Sequence, residues 1–252
     1  MQLANRLVGN EQGEGALEIL HAGPEFVVRA PTARIAFVGA DCAIQVLQPE
    51  PVAYSSGRSV TVVAGDRIRF GAMRGNLCGY LAVAGGFAIE PCMNSLSTYV
   101  RGGFGGFKGR TVQAGDHLPL RRETAPDGPD LSMKFDSGMQ AQARSGIRIV
   151  LGPQDDHFSK AGLETLLTEE FIVSASSDRM GARLDGPAIE LLAYENFISD
   201  GITAGAIQVP GSGQPIILLA DHQTTGGYPK IATVISADLP VLGRMRPGSR
   251  LR

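Results

Sequence analysis

Val63-Ala64-Gly65-Asp66-Arg67-Ile68, Val112-Gln113-Ala114-Gly115-Asp116-His117-Leu118 and Met245-Arg246-Pro247-Gly248-Ser249-Arg250-Leu251 share one form. Each has a two-residue turn containing glycine, then a polar residue, then the start of a strand. Glycine supplies the positive φ that such turns need at no steric cost. A second echo joins Leu81-Ala82-Val83-Ala84-Gly85-Gly86-Phe87 to Leu218-Leu219-Ala220-Asp221 followed by Gly226-Gly227-Tyr228. In both, an apolar strand comes first and a glycine turn follows. Together the echoes predict a duplicated β-barrel, against the alternative that turns of this chemistry simply look alike.

The sequence around these turns is strand-rich. Short apolar or alternating runs stand between turn residues at 25–29, 34–38, 43–47, 59–63, 67–70, 79–84, 147–151, 171–173, 206–209, 216–220 and 232–235. Helical spacing is confined to residues 2–8, to 159–170 with Ser159 as N-cap, and to a short turn from Gly186-Pro187 to Leu192. The expected fold is therefore mainly β, two β-barrel halves with a few short helices. Residues 1–120 form the first half and 146–252 the second, joined by 121–145, a polar, turn-rich linker.

Composition agrees. The 252 residues include 33 Gly and 15 Pro, well above the average share of about 12%. At 43% hydrophobic residues the chain is too apolar for a disordered protein. A net charge of −2 with no basic stripe argues against a nucleic-acid partner. The three cysteines, Cys42, Cys78 and Cys92, form no C-x-x-C, which argues against a disulfide framework or a thiolate zinc site. No apolar run approaches 18 residues and no signal core opens the chain, so no membrane is expected and a cytoplasmic location is the default. The four histidines are scattered, and no metal site is expected. Walker, G-x-G-x-x-G, H-E-x-x-H and G-x-S-x-G motifs are absent.

Three segments carry candidate chemistry. The richest is Asp221-His222-Gln223-Thr224-Thr225-Gly226-Gly227-Tyr228-Pro229-Lys230, delivered to the end of an apolar strand. Asp221 can act as base or acceptor. Gln223 offers a donor and an acceptor to an amide, lactam or ureido group. Thr224 and Thr225 add hydroxyls, Gly226 and Gly227 let backbone approach a ligand, and Lys230 offers a cation to a carboxylate or phosphate. A structural loop satisfying its own backbone is the bland alternative. The second segment, 97–110, sets five glycines among two phenylalanines and three cations. It reads either as a lid or anion loop, with Arg101 and Arg110 gripping a carboxylate, or as a corner whose phenylalanines plug the core. In the third, 176–186, Asp178 and Arg179 read as a turn with a local ion pair or as ligand-orienting groups. Gln208 sits on a hairpin strand and can face a cavity.

The runs Ser97–Arg110, Ser177-Asp178-Arg179-Met180-Gly181, Gly205-Ala206-Ile207-Gln208-Val209-Pro210 and Asp221–Lys230, in this order and at these distances, resemble the family of the 5-oxoprolinase C subunit. That family is also labelled allophanate hydrolase subunit 2 or biotin-dependent carboxyltransferase. The sequence is similar as well to part of the carboxyltransferase region of urea carboxylase and to bacterial antagonists of a sporulation kinase inhibitor. The resemblance spans Leu3 to Arg252. It implies two cyclophilin-like β-barrel halves and pairing with a sister B subunit. Together with an A subunit, these hydrolyse 5-oxo-L-proline to L-glutamate using ATP. Under that reading Asp221, Gln223 and Lys230 are expected to be catalytic. Arg101, Arg110, Asp178, Arg179, Gln208, Thr224, Thr225, Gly226, Gly227 and Tyr228 are expected to bind substrate. The alternatives are a carboxyltransferase component using biotin on another protein, acting on urea or a related amide, and a non-catalytic regulator of the sister subunit. Two departures stand out. Family members carry a further N-terminal segment with a Thr-x-x-Asp-x-Gly-Arg-like motif, so the expectation is either a misassigned start at Met1 or a first half shortened at its N-terminus. His222 stands where arginine is common.

Overall fold

The computed structural model describes residues 1–47, 51–133, 146–192 and 198–252. It divides into two compact units, Met1–Gln140 and Ala141–Arg252. Of the segment read as a linker, residues 134–145 lie outside the described residues. The part before them is laid on the first unit: Ser59 N donates to Leu131 O at 2.7 Å and Met133 N to Gly57 O at 2.8 Å. Turn-rich composition conceals such pairing, because edge bonding uses backbone groups that any residue but proline carries.

In the first unit one antiparallel sheet runs in the order Leu17–Leu20, Cys78–Val83, Thr32–Val38, Arg58–Val63. The other runs Glu25–Val27, Arg67–Phe70, Ile44–Val46, Val52–Tyr54. Their apolar faces supply one core, including Ile35, Phe37, Val62 and Leu81 from the first sheet and Ile44, Ile68 and Phe70 from the second. Thr32–Val38 is buried on both faces, since Ala36 and Val38 meet Ala4 and Leu7 of the helix Gln2–Leu7. That double burial is why the strand's second half, residues 35–38, reads as a continuous apolar run rather than an alternation.

The second unit holds a seven-stranded antiparallel sheet ordered Ile149–Leu151, Lys230–Val234, Ala206–Gln208, Ile216–Leu218, Gly181–Asp185, Phe171–Val173, Arg250–Leu251. It curls far enough for Ile147 N, beside its first strand, to donate to Arg252 O, beside its last, at 2.7 Å. The inner face packs Phe171, Leu184, Ile207, Ile217 and Ile231 against Leu166 of the helix Lys160–Thr168. Ser159 caps that helix, accepting from Gly162 N at 2.9 Å. The chain is thus mainly β with few short helices, as expected. The turn of helix expected from Gly186 to Leu192 is absent: Ile189 is core, and its N–H pairs with Gly213 O instead.

The three echoing turns have one geometry. Gly65, Gly115 and Gly248 adopt φ of 93°, 88° and 84°. In each turn the polar residue that follows glycine closes the loop twice. Asp66, Asp116 and Ser249 donate their N–H to Val63, Gln113 and Arg246 O, and their side chains accept from the same three residues' N–H. Glycine at the third position fits the positive φ of a type II turn.

Candidate functional site

The site begins with an irregularity between two central strands of the second unit. Ile207 faces Ala232, but the next residue, Gln208, faces Lys230, so Ile231 is an extra residue in its strand. This bulge lets Ile231 and Ala232 both face the core and turns Lys230 to the opposite face, beside Gln208. That outer face also carries a small apolar cluster of Ile202, Ala206 and Leu218.

Two polar side chains are therefore buried outside the core: Gln208 is 1% exposed and Lys230 5%. A buried polar group needs partners, and both have them. Gln208 Nε2 donates to Tyr228 O at 3.3 Å, and its Oε1 accepts loosely from Gln223 Nε2 at 3.5 Å. Lys230 Nζ lies 3.1 Å from Asp200 Oδ2, while its backbone N–H donates to Gln154 Oε1 at 2.8 Å. The Lys230 ammonium, aided by Gly201 N–H, holds the Asp200 carboxyl below the usual carboxylate range.

The Asp221–Lys230 segment is pinned over this pair. Thr225–Gly226 forms a short ladder with Asp200–Gly201, and Ile202 N donates to Thr224 O at 3.0 Å. Gly226 is required by proximity: a Cβ there would lie 2.9 Å from Gln208 Nε2 and 3.3 Å from Gln223 Nε2. Thr224, Thr225 and Tyr228 keep exposed side chains, and Gly227 is half-buried. The structure thus brings Gln208, Gln223, Gly226 and Lys230 together, with the Tyr228 carbonyl.

Asp221 lies at the flank. Both its oxygens accept from the Arg179 guanidinium, at 2.8 and 3.0 Å, and its N–H donates to Arg179 O. The sequence left residues 178–179 as a turn with a local ion pair or as ligand-orienting groups; the structure adds a long-range pair, from Arg179 to Asp221. Asp178 instead builds the turn, accepting from Met180 N at 2.8 Å and Gly181 N at 3.3 Å.

Arg101 and Arg110 belong to the first unit. The Arg110 fork already grips a carboxylate of this chain, Asp116, through two bonds of 2.7 Å, and its guanidinium lies 5.8 Å from the Phe107 ring centroid. Arg110, Gln113 N–H and Lys108 hold the Asp116 carboxyl well below its ordinary range. Arg101 is exposed at the Thr98–Tyr99 and Phe104–Gly105 hairpin. The phenylalanines do not plug the core: Phe104 is 46% exposed and packs on Tyr99, with centroids 5.4 Å apart. Glycine here serves the loop's own backbone, since a Cβ at Gly109 would lie 2.1 Å from Gly103 O.

Sequence reasoning missed Asp200 and Gln154. Asp200 stands in Ile198-Ser199-Asp200-Gly201, which carries no motif, and only the pairing with Thr225–Gly226 brings it to Lys230. Among the described residues no three His, Cys, Asp or Glu stand close enough to hold a metal ion. Two primary amides and one paired ammonium do not fit a triphosphate, so no step through ATP is derived for this chain. No helix among the described residues is long and apolar enough to cross a membrane.

Residues 1–252 match the family described as "Carboxyltransferase domain, subdomain A and B". The chain is 34% identical over 248 residues to the 5-oxoprolinase C subunit of Escherichia coli strain K12, covering 98% of this chain and 77% of that protein. It is 40% identical over 192 residues to the 5-oxoprolinase C subunit of Haemophilus influenzae, covering 76% of this chain and 60% of that protein. The crystal structure of the Kluyveromyces lactis urea carboxylase superposes on the whole chain with a TM-score of 0.87 at 25% identity, over 24% of that longer protein.

Proposed function

The chain belongs to the family of the carboxyltransferase domain, subdomain A and B, and from that membership we propose that it serves as the C subunit of a 5-oxoprolinase. Identities of 34% and 40% to proteins of that name support the reading. In the proposed assembly the sister A and B subunits complete the enzyme, which opens the lactam ring of 5-oxo-L-proline to L-glutamate with hydrolysis of ATP. The ATP chemistry is assigned to the assembly rather than to a loop of this chain.

The observation that carries the reading is the loose amide pair, Gln223 over Gln208. A lactam presents N–H and C=O side by side in the cis arrangement, and a primary amide can meet both at once, donating to the carbonyl and accepting from the N–H. Gln223, half-buried, is the amide that meets the ligand. Gln208, fully buried and bonded to Tyr228 O, is the positioning residue that fixes its orientation. Gly226 removes the side chain that would part the two. Donation to the lactam oxygen stabilises the charge that gathers there when water attacks. Lys230 is the cation for the substrate carboxylate. Asp221, with both oxygens on Arg179, holds the loop that carries Gln223.

The test is reconstitution with the sister subunits, reading ATP hydrolysis and glutamate release with and without 5-oxoproline. Stimulation by 5-oxoproline that the Gln223→Ala complex lacks supports the reading. No stimulation in the wild-type complex overturns it.

A further inference from the structure

Lys230 and Asp200 are unequal partners. The lysine side chain is 7% exposed and the aspartate 66%. A buried ammonium without a counter-ion is costly, so the position beyond Lys230 Nζ favours an anion. The carboxylate that fills it is lightly held. Asp200 belongs to a two-residue strand, its other acceptor contact is with the N–H of the next residue, Gly201, at 2.6 Å, and most of its side chain faces solvent. If a competing anion takes its place, Lys230 stays paired and the exposed Asp200 carboxylate returns to water, so the exchange costs far less than losing the counter-ion outright. The site therefore favours an anion but holds this one weakly.

We propose that Asp200 is a built-in occupant of a carboxylate subsite, standing on Lys230 where the carboxylate of a small acid binds, and that such a ligand enters by displacing it. The ammonium and the amide pair are neighbours: Lys230 lies directly across the strand pair from Gln208, on which Gln223 rests. In 5-oxoproline the carboxylate-bearing carbon is bonded to the lactam nitrogen, so one molecule presents both groups within a few bonds. Asp200 is then specificity-determining. It keeps Lys230 closed to neutral ligands and weak anions, and yields to a carboxylate that also satisfies the amides. The choice of 5-oxoproline rests on the function proposed above; the carboxylate subsite does not.

The experiment uses the full chain and its Asp200→Asn, Asp200→Ala and Lys230→Met variants, with acetate as the probe. Thermal midpoints are followed against acetate at constant ionic strength. The Asp200 variants are expected to be stabilised by acetate at concentrations at least tenfold below those the wild type needs, and Lys230→Met not at all. Asp200→Asn preserves size and hydrogen bonding and guards against misfolding of Asp200→Ala; circular dichroism checks both. Absence of an acetate response in a folded Asp200→Asn chain overturns the subsite. With 5-oxoproline as a second probe, binding to Asp200→Asn tighter than acetate supports the lactam as occupant. An acetate response with no added affinity for 5-oxoproline leaves the subsite standing and counts against the oxoprolinase reading, so the two failures are distinguishable.

Discussion

Gln208 and Lys230 stand opposite each other on neighbouring strands where the register shifts by one residue, and both side chains are buried on the face away from the main core. In a regular register Ile231 would face Gln208 and Lys230 would fall opposite the next position, Val209, and the ammonium would leave the amides. The bulge is what turns a sheet of core-facing aliphatics into a polar site.

The two glutamines are expected to respond differently to truncation. Gln208→Ala removes a buried side chain and leaves the Tyr228 carbonyl without its donor, a loss of about 2–3 kcal/mol. Gln223→Ala, at a half-buried position, is expected to stay within about 0.5 kcal/mol of wild type. In the reconstituted complex it should lose about a hundredfold in kcat/KM, the scale of one aligned donor. Urea unfolding beside steady-state kinetics separates the two. A Gln223→Ala chain as unstable as Gln208→Ala would mean the loop is structural.

Gly226→Ala places a methyl 2.5 Å from Ile202 Cδ1 and 2.9 Å from Gln208 Nε2. Both are side-chain ends able to shift, so a folded protein is expected, about 1–3 kcal/mol less stable. The larger effect falls on the substrate: KM for 5-oxoproline should rise as the amides part. An unchanged KM would show that their spacing does not matter.

Arg179 and Asp221 form a two-bond pair in which the side chains are 43% and 21% exposed. Asp221→Asn and Arg179→Ala are each expected to cost at most about 1 kcal/mol. If the pair acts as one unit, the double variant loses no more activity than either single one, which a double-mutant cycle measures. Additive losses would give Asp221 a separate role.

Asp116 links stability to pH in the first unit. Its folded-state pKa is depressed, chiefly by Arg110. Its contribution is therefore fully present above its unfolded value, about 3.9, and is lost as pH falls from there toward the folded value. Between pH 5 and pH 2 the urea midpoint of the wild type should fall more steeply than that of Asp116→Asn. Parallel curves would show that the pair does not contribute.

The repeated turns were legible from sequence alone because their cause is local. A glycine at positive φ and a following Asp or Ser that accepts from the turn's first N–H need only four consecutive residues. The strands came from the same short-range signals. Leu17–Leu20 and Val52–Tyr54 escaped, and so did Gly181–Asp185, where polar Arg183 and Asp185 alternate with Ala182 and Leu184 beside a serine-rich turn, so that the segment reads as one loop. The candidate site was legible as a concentration of functional groups in 221–230, and Gln208 was named. What those groups touch was not.

Residue types and local spacing determined that this chain is mainly β, where its repeated turns fall and that Asp221–Lys230 is a run rich in functional groups. Only the tertiary structure decided that Lys230 is buried against Asp200, that Asp221 answers to Arg179, and that a one-residue register shift sets Lys230 beside Gln208. The reason is range. A turn is closed by bonds across three residues, whereas Lys230 and Asp200 are 30 positions apart and Arg179 and Asp221 are 42, and their meeting is fixed by sheet register, which no short stretch of sequence contains.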